Sequence, residues 1–84
     1  MYIHLGGNVI RSEKEILSIF DVKTFHQSPV NQEVLKTFEK EGRVKTLDKG
    51  TIRSVIFIKG KNQRAMIYYS PITPWTLLKR QVFL

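Results

Sequence analysis

Cysteine is absent from the 84 residues, which removes disulfides, thiol catalysis and thiolate zinc sites together. A secreted chain of this size usually carries disulfide staples, so the expected location is the cytoplasm. No apolar run approaches the ~20 residues needed to cross a bilayer, and no membrane partner is expected. The opening MYIHLGGNVIR lacks a basic segment followed by an apolar one and does not read as a signal peptide. Acid is scarce as well: seven Asp and Glu stand against 14 Lys and Arg, a net charge of +7.

The parts of an active site are missing too. There are two histidines, His4 in an opening strand and His26 in the loop before the main helix, and neither has a ligating residue at metal spacing. The serines have no G-x-S-x-G context, and no G-K-[ST] follows Gly6-Gly7. No enzyme activity, metal or cofactor is expected.

What is present is a foldable core and an uneven charge. Hydrophobic residues make up 42% and aromatics 11% of the chain, enough for one small folded domain. A chain this short buries only about 60 to 65% of its unfolded surface, so it must pack efficiently or share a core with copies of itself. Residues 1–42 hold five cations and six acids, whereas residues 43–84 hold nine cations and the single acid Asp48. Excess positive charge confined to one half points to a polyanionic partner, nucleic acid before an anionic membrane surface, although a basic surface also serves solubility.

The pattern predicts an α+β domain with a small, mostly antiparallel sheet, one main helix and a short C-terminal helix. Tyr2 to Leu5 reads as a strand, Gly6-Gly7-Asn8 as a tight turn and Val9-Ile10 as its return. Ser12-Glu13-Lys14-Glu15 fits an S-x-x-E capping box over a short turn, before a strand at 16–22. Ser28-Pro29 opens the main helix, whose Val30, Val34, Leu35 and Phe38 follow helical spacing and which Gly42 stops. Strands at 43–47, 51–59 and 64–70, joined by short turns, predict an antiparallel meander. Thr73-Pro74 opens the last helix, with Trp75 as a packing anchor.

In the strand at 51–59, alternation sets Thr51, Arg53, Val55, Phe57 and Lys59 on one face and Ile52, Ser54, Ile56 and Ile58 on the other. Burying Val55 and Phe57 under the helix sends Lys49, Gly50, Thr51 and Arg53 to one end of the sheet and Lys59, Lys61 and Arg64 to the other. Rim cations neutralise phosphates and release counterions, and backbone N–H groups at Gly50 and Thr51 add contacts. Lys59 to Arg64 reads equally well as a solvated turn. Tyr68-Tyr69 invites base stacking, but adjacent strand residues face opposite ways, so one is expected in the core and the other at a surface.

The stretches MYIHLGGNVI, SEKEILSIFD, IRSVIFI and IYYSPITPWTLLKR resemble, in order and spacing, the extracellular matrix regulatory proteins of Gram-positive bacteria, the Rem family, and the RemB-like branch more than the RemA-like one. The likeness spans Tyr2 to Arg80. It implies a cytoplasmic DNA-binding regulator that activates biofilm-matrix genes without a helix-turn-helix. In RemA-like members it also implies a closed ring that could hold DNA around its rim. The family places arginines just before the second strand and at a G-R-R-T-R turn entering the long strand. Lys14 falls at the first place, and Gly50 and Arg53 fall at the second. Thr51 and a one-residue deletion stand where the paired arginines would be, with Lys49 just upstream.

The DNA-contacting set expected from charge and resemblance together is Lys14, Lys49 and Arg53, helped by Arg11, Arg43, Lys45 and the Thr51 backbone. The expected partners are duplex DNA and further copies of the chain in a ring-like homo-oligomer, whose repeated patch adds weak contacts through effective concentration. Two other readings stay open: a protein-interaction module that recruits another transcription regulator, its basic charge incidental, and an RNA binder.

Overall fold

Strand β5 (Ser54–Lys59) lies at the centre of the molecule and is apolar on both faces. The computed structural model describes residues 1–82. The order is β1 (Tyr2–Gly6), β2 (Val9–Ser12), a 3₁₀ turn (Glu13–Glu15), β3 (Ile16–Asp21), α1 (Val22–Gln27) and α2 (Pro29–Lys40). Then come β4 (Val44–Thr46), β5, a second 3₁₀ turn (Lys61–Gln63), β6 (Ala65–Ser70) and α3 (Pro74–Val82). β1 and β2 form a two-stranded antiparallel sheet, and the other strands form a four-stranded sheet in the order β3-β5-β6-β4.

The two faces of the main sheet carry separate clusters. Val55 and Ile67 are buried with Phe25 of α1, and Leu35, Phe38, Phe57 and Tyr69 pack around them. Phe57 contacts Phe20, Phe25 and Phe38 with ring centroids 5.9, 5.8 and 5.7 Å away, aromatic pairs worth about 0.5 to 1.5 kcal/mol each beyond their buried area. On the opposite face Ile56, Ile58 and Tyr68 are buried with Ile3 and Leu5 of β1, Leu47 and Leu77 of α3. Alternation along β5 therefore works as expected, with a layer against each side. Two buried serines tie the second layer down: Ser70 Oγ donates to Leu5 O, and Ser54 Oγ donates to Ile72 O.

Local signals account for the element boundaries. The Ser12 capping box is complete: Ser12 Oγ accepts from Lys14 N–H (3.3 Å) and Ser12 N–H donates to Glu15 Oε1 (3.1 Å). Ser28 Oγ accepts from Asn31 N–H (3.4 Å), with Pro29 at the first helical position. Gly42, at φ +70°, reverses the chain so that Arg43 N–H reaches Phe38 O at 2.8 Å.

The structure corrects several expectations. The last three strands are not a meander: β4 lies beyond β6 and runs parallel to it, with Val44, Lys45 and Thr46 opposite Ile67, Tyr68 and Tyr69. The edge of β5 expected for β4 is taken by β3, which pairs from Ile16↔Ile58 to Asp21↔Ser54. Six residues of β3 outcompete three of β4 for that edge, and the 47–53 connection is long enough to step across the end of β6. Residues 51–53 are irregular, so β5 begins at Ser54.

Helix α1 departs from the sequence pattern. Asp21, which reads as the end of a strand, is its N-cap, accepting from Thr24 N–H at 3.1 Å, and His26 lies in this helix rather than a loop. Phe25 and Val22 of α1 make the contribution that spacing assigns to Val30, which is 71% exposed. Trp75 is likewise 71% exposed, and Leu77 is the α3 residue buried in the core. The turn in α3 that faces the sheet is set by Leu77, which leaves Trp75 and Leu78 on the outer side.

The hairpin turn of the small sheet presses on the connection after β4. Gly7 has φ +56°, and a Cβ there would lie 2.1 Å from Leu47 O. Gly42 has φ +70° with nothing within 4 Å of a built Cβ. Gly42→Ala should therefore lose only the left-handed backbone penalty of about 1 to 2 kcal/mol. Gly7→Ala should lose clearly more in urea denaturation; equal losses would mean that the hairpin does not seat against Leu47.

Candidate functional site

The expected cations fall at opposite ends of the sheet. At the Ser54 end, Asp21, Ser54 and Ser70 lie side by side in register. The connection from β4 to β5 crosses this end and is pinned at both sides: Leu47 N–H donates to Tyr69 O (2.9 Å), and Arg53 N–H donates to Ser70 O (2.9 Å). Arg53 O accepts from Val22 N–H at 3.0 Å, which joins the loop to the start of α1. Lys49, Gly50, Thr51 and Arg53 are all exposed, as is Lys45 on the edge strand β4. Asp48, the single acid of this half, turns its Oδ1 to the Lys49 N–H at 2.8 Å. Among the described residues, none of Lys45, Lys49 and Arg53 makes an ion pair.

The other end lies roughly 17 Å away along β5, at about 3.4 Å per residue. Lys14 belongs here, in the 3₁₀ turn that enters β3 opposite Ile58, and it is exposed. Arg11 and Arg43 are also here, and both are engaged in contacts within the fold. Arg11 on β2 donates through one terminal nitrogen to Tyr68 Oη at 2.7 Å, while its Nε is buried without a partner among the described residues. The hydrogen bond to Tyr68 raises the Arg11 pKa further above its already high value, against the opposing effect of burial. Arg43 donates from Nε to Ala65 O (2.9 Å), pairs with Glu41, and lays its guanidinium over the Phe38 ring at 4.0 Å.

Two cations whose stretch reads equally well as a solvated turn join this group. Arg64 reaches the same Glu41 carboxylate at 3.3 Å, and Arg11, Arg43, Lys61 and Arg64 line one pocket of about 280 Å³ with Gly60, Ala65, Met66 and Tyr68. The signal in the sequence is the β5–β6 turn itself, since closing it brings Lys61 and Arg64 back toward the start of β4. The Arg43 hydrogen bond, with the Arg64 charge behind it, holds the Glu41 carboxyl below its ordinary range. Tyr68 and Tyr69 divide as expected: Tyr68 is buried, and Tyr69 is half-buried on the helix side with its hydroxyl 3.2 Å from His26 Nε2. Burial, and secondarily the Glu39 charge, raises the Tyr69 pKa.

Among the described residues there is no group of three His, Cys, Asp or Glu that would hold a metal, and no helix long and apolar enough to cross a membrane. The chemistry on display is cationic charge held on a small α+β scaffold. No protein-family model matches the chain. It is 38% identical over 84 residues to extracellular matrix regulatory protein B of Bacillus subtilis (strain 168), covering all of this chain and 94% of that protein. The chain belongs to the extracellular matrix regulatory protein family, on the side of protein B.

The two kinds of cation should separate in stability measurements. Tyr68→Phe removes the acceptor of a half-buried guanidinium and should lower stability by about 1 to 3 kcal/mol. Lys49→Ala should change it by no more than about 0.5 kcal/mol. Equal effects in thermal denaturation would remove the distinction. Because Glu41 has a lowered pKa in the folded protein, its contribution is present above the ordinary carboxylate range and is lost as pH falls through the lowered value. Glu41→Gln should flatten that part of the stability profile.

Proposed function

We propose that this protein is a non-enzymatic DNA-binding regulator of extracellular matrix genes, working in the cytoplasm as a homo-oligomer. The observation that carries the reading is the 48–53 loop. Its flanks are held, Leu47 by Tyr69 and Arg53 by Ser70 and Val22, while Lys49 and Arg53 stay exposed and without acidic partners among the described residues. Exposed, unpaired cations on a loop held at both flanks suit a phosphate backbone, which is met by charge and position rather than by a unique side-chain geometry. The name of the Bacillus subtilis relative, a matrix regulatory protein, supports the regulatory part.

Lys14 lies at the opposite end of the sheet, so it meets a different phosphate from Lys49 and Arg53, or the same duplex through a neighbouring copy. Self-association is supported by apolar surface that the small core leaves over: Tyr2 is 70%, Ile10 60% and Leu17 57% exposed. Both edges of the main sheet, β3 and β4, also remain unpaired among the described residues. A cyclic assembly would cover such edges and repeat the cationic loop around a rim.

A second reading, recruitment of another regulator, is favoured by α3, where Trp75 and Leu78 stand 71% and 48% exposed on one helix. Fluorescence anisotropy with labelled duplex DNA at several salt concentrations separates the two. Binding should weaken steeply with salt, and Lys49→Ala with Arg53→Ala should lower the log–log slope by about 0.9 for each phosphate no longer neutralised. The native mass should be unchanged. No binding at low salt, or binding indifferent to salt, rejects DNA recognition; a fall in mass reassigns these residues to a subunit interface. A pull-down of another regulator that survives high salt and nuclease supports the second reading.

A further inference from the structure

We propose that the pocket between β2, β4 and the β5–β6 turn binds a small phosphomonoester of mononucleotide size, independently of any DNA contact at the 48–53 loop. Four cations, Arg11, Arg43, Lys61 and Arg64, line it. The acid paired with them is Glu41, whose one carboxylate is shared between Arg43 and Arg64. Positive charge gathered around a concavity and incompletely neutralised favours an anion there.

The geometry narrows the anion. Arg43 is fixed by Ala65 O and the face of Phe38, and Arg11 by Tyr68 Oη, so two guanidinium planes are held before a ligand arrives. Guanidinium forks match the oxygens of phosphate, and a dianion makes fuller use of several cations than a carboxylate does. Arg11 has donor capacity to spare on its terminal nitrogens, since its one hydrogen bond runs from one of them to Tyr68. The Tyr68 hydroxyl, which accepts from Arg11, retains its own proton to donate.

The rest of the wall is not cationic. Gly60, Ala65, Met66 and the Tyr68 ring give it an uncharged side suited to the body of a ligand. A volume of about 280 Å³ is of the size of one nucleoside and its phosphate. Gly60 lets the turn close tightly on this side, because a Cβ there would stand 2.8 Å from Arg64 O and 2.9 Å from Met66 Cγ.

The chain has two methionines, Met1 and Met66, and only Met66 lines the pocket. Protein labelled with ¹³C at the methionine methyls, titrated with adenosine 5′-monophosphate without DNA, should show a saturable Met66 shift with half-saturation below about 1 mM. Met1 should not move. Adenosine should give no shift, and inorganic phosphate should need at least tenfold more for half-saturation. Arg64→Ala should weaken binding at least fivefold, and Glu41→Gln, which frees Arg43 and Arg64, should tighten it. Circular dichroism of each variant confirms that it is folded.

A linear shift, no shift, equal half-saturation for phosphate and nucleotide, or a Met66 shift produced by duplex DNA alone would overturn the proposal. Because the measurement contains no DNA, its failure leaves the 48–53 loop untouched, and failure of DNA binding leaves the pocket untouched.

Discussion

Burial of β5 on both faces is the constraint on which the rest of the structure depends. Val55 and Phe57 need the α1–α2 layer, while Ile56 and Ile58 need the β1–β2 hairpin and α3. Neither covering layer would be stable alone: a two-stranded hairpin and helices of six and 12 residues are all marginal in water. Their order comes from the strand they cover. Once both faces are closed, charged side chains are left with the ends and edges of the sheet, because burying an unpaired ion costs several kcal/mol. The division of the cations into two groups is thus a consequence of the core.

Much of this is legible in the sequence because it is local. The apolar run at 55–58, the Ser12 capping box, Ser28-Pro29 and the stop at Gly42 each act within a few residues, and the structure uses all of them. The position of β4 is not legible, because strand order depends on a competition between distant segments for one edge of β5. Asp21 shows a subtler failure: it closes β3 and caps α1 at once, and the strand pattern conceals the second role. Trp75 is misplaced when size alone is the reason for burial, whereas the helical phase of Leu77 decides which side of α3 meets the sheet.

Placement of these cations at the two ends follows from the apolar run of β5, which leaves charge to the segments on either side of it, but their partners do not. Arg11 and Arg43 read as members of the same basic surface as Lys49 and Arg53 because net charge carries no information about partners. Their partners, Tyr68, Ala65 O, Glu41 and Phe38, come from β6, from α2 and from the turn after it, which only the folded topology brings together. The converse holds for Lys61 and Arg64, whose turn reads equally well as a solvated turn or a basic rim, and which line a pocket with Arg11 and Arg43 once the chain is folded. That turn also holds Asn62 and Gln63 at positive φ, a conformation unfavourable for Gln63 that the hairpin register requires.

The two groups must respond differently to salt. Lys49 and Arg53 are exposed, so mobile ions compete with any phosphate they meet, and a Debye length near ~8 Å at physiological ionic strength limits their reach. Arg11 and Arg43 are half-buried and held by hydrogen bonds, so the rotamer entropy of each, up to about 2 kcal/mol, is already lost on folding rather than on binding. Fixed guanidinium groups discriminate by geometry, whereas mobile ones respond mainly to charge density. One end of the sheet therefore carries exposed cations without acidic partners among the described residues, and the other carries guanidinium groups already held within the fold. Both groups draw on the same excess of arginine and lysine, separated by the length of one strand.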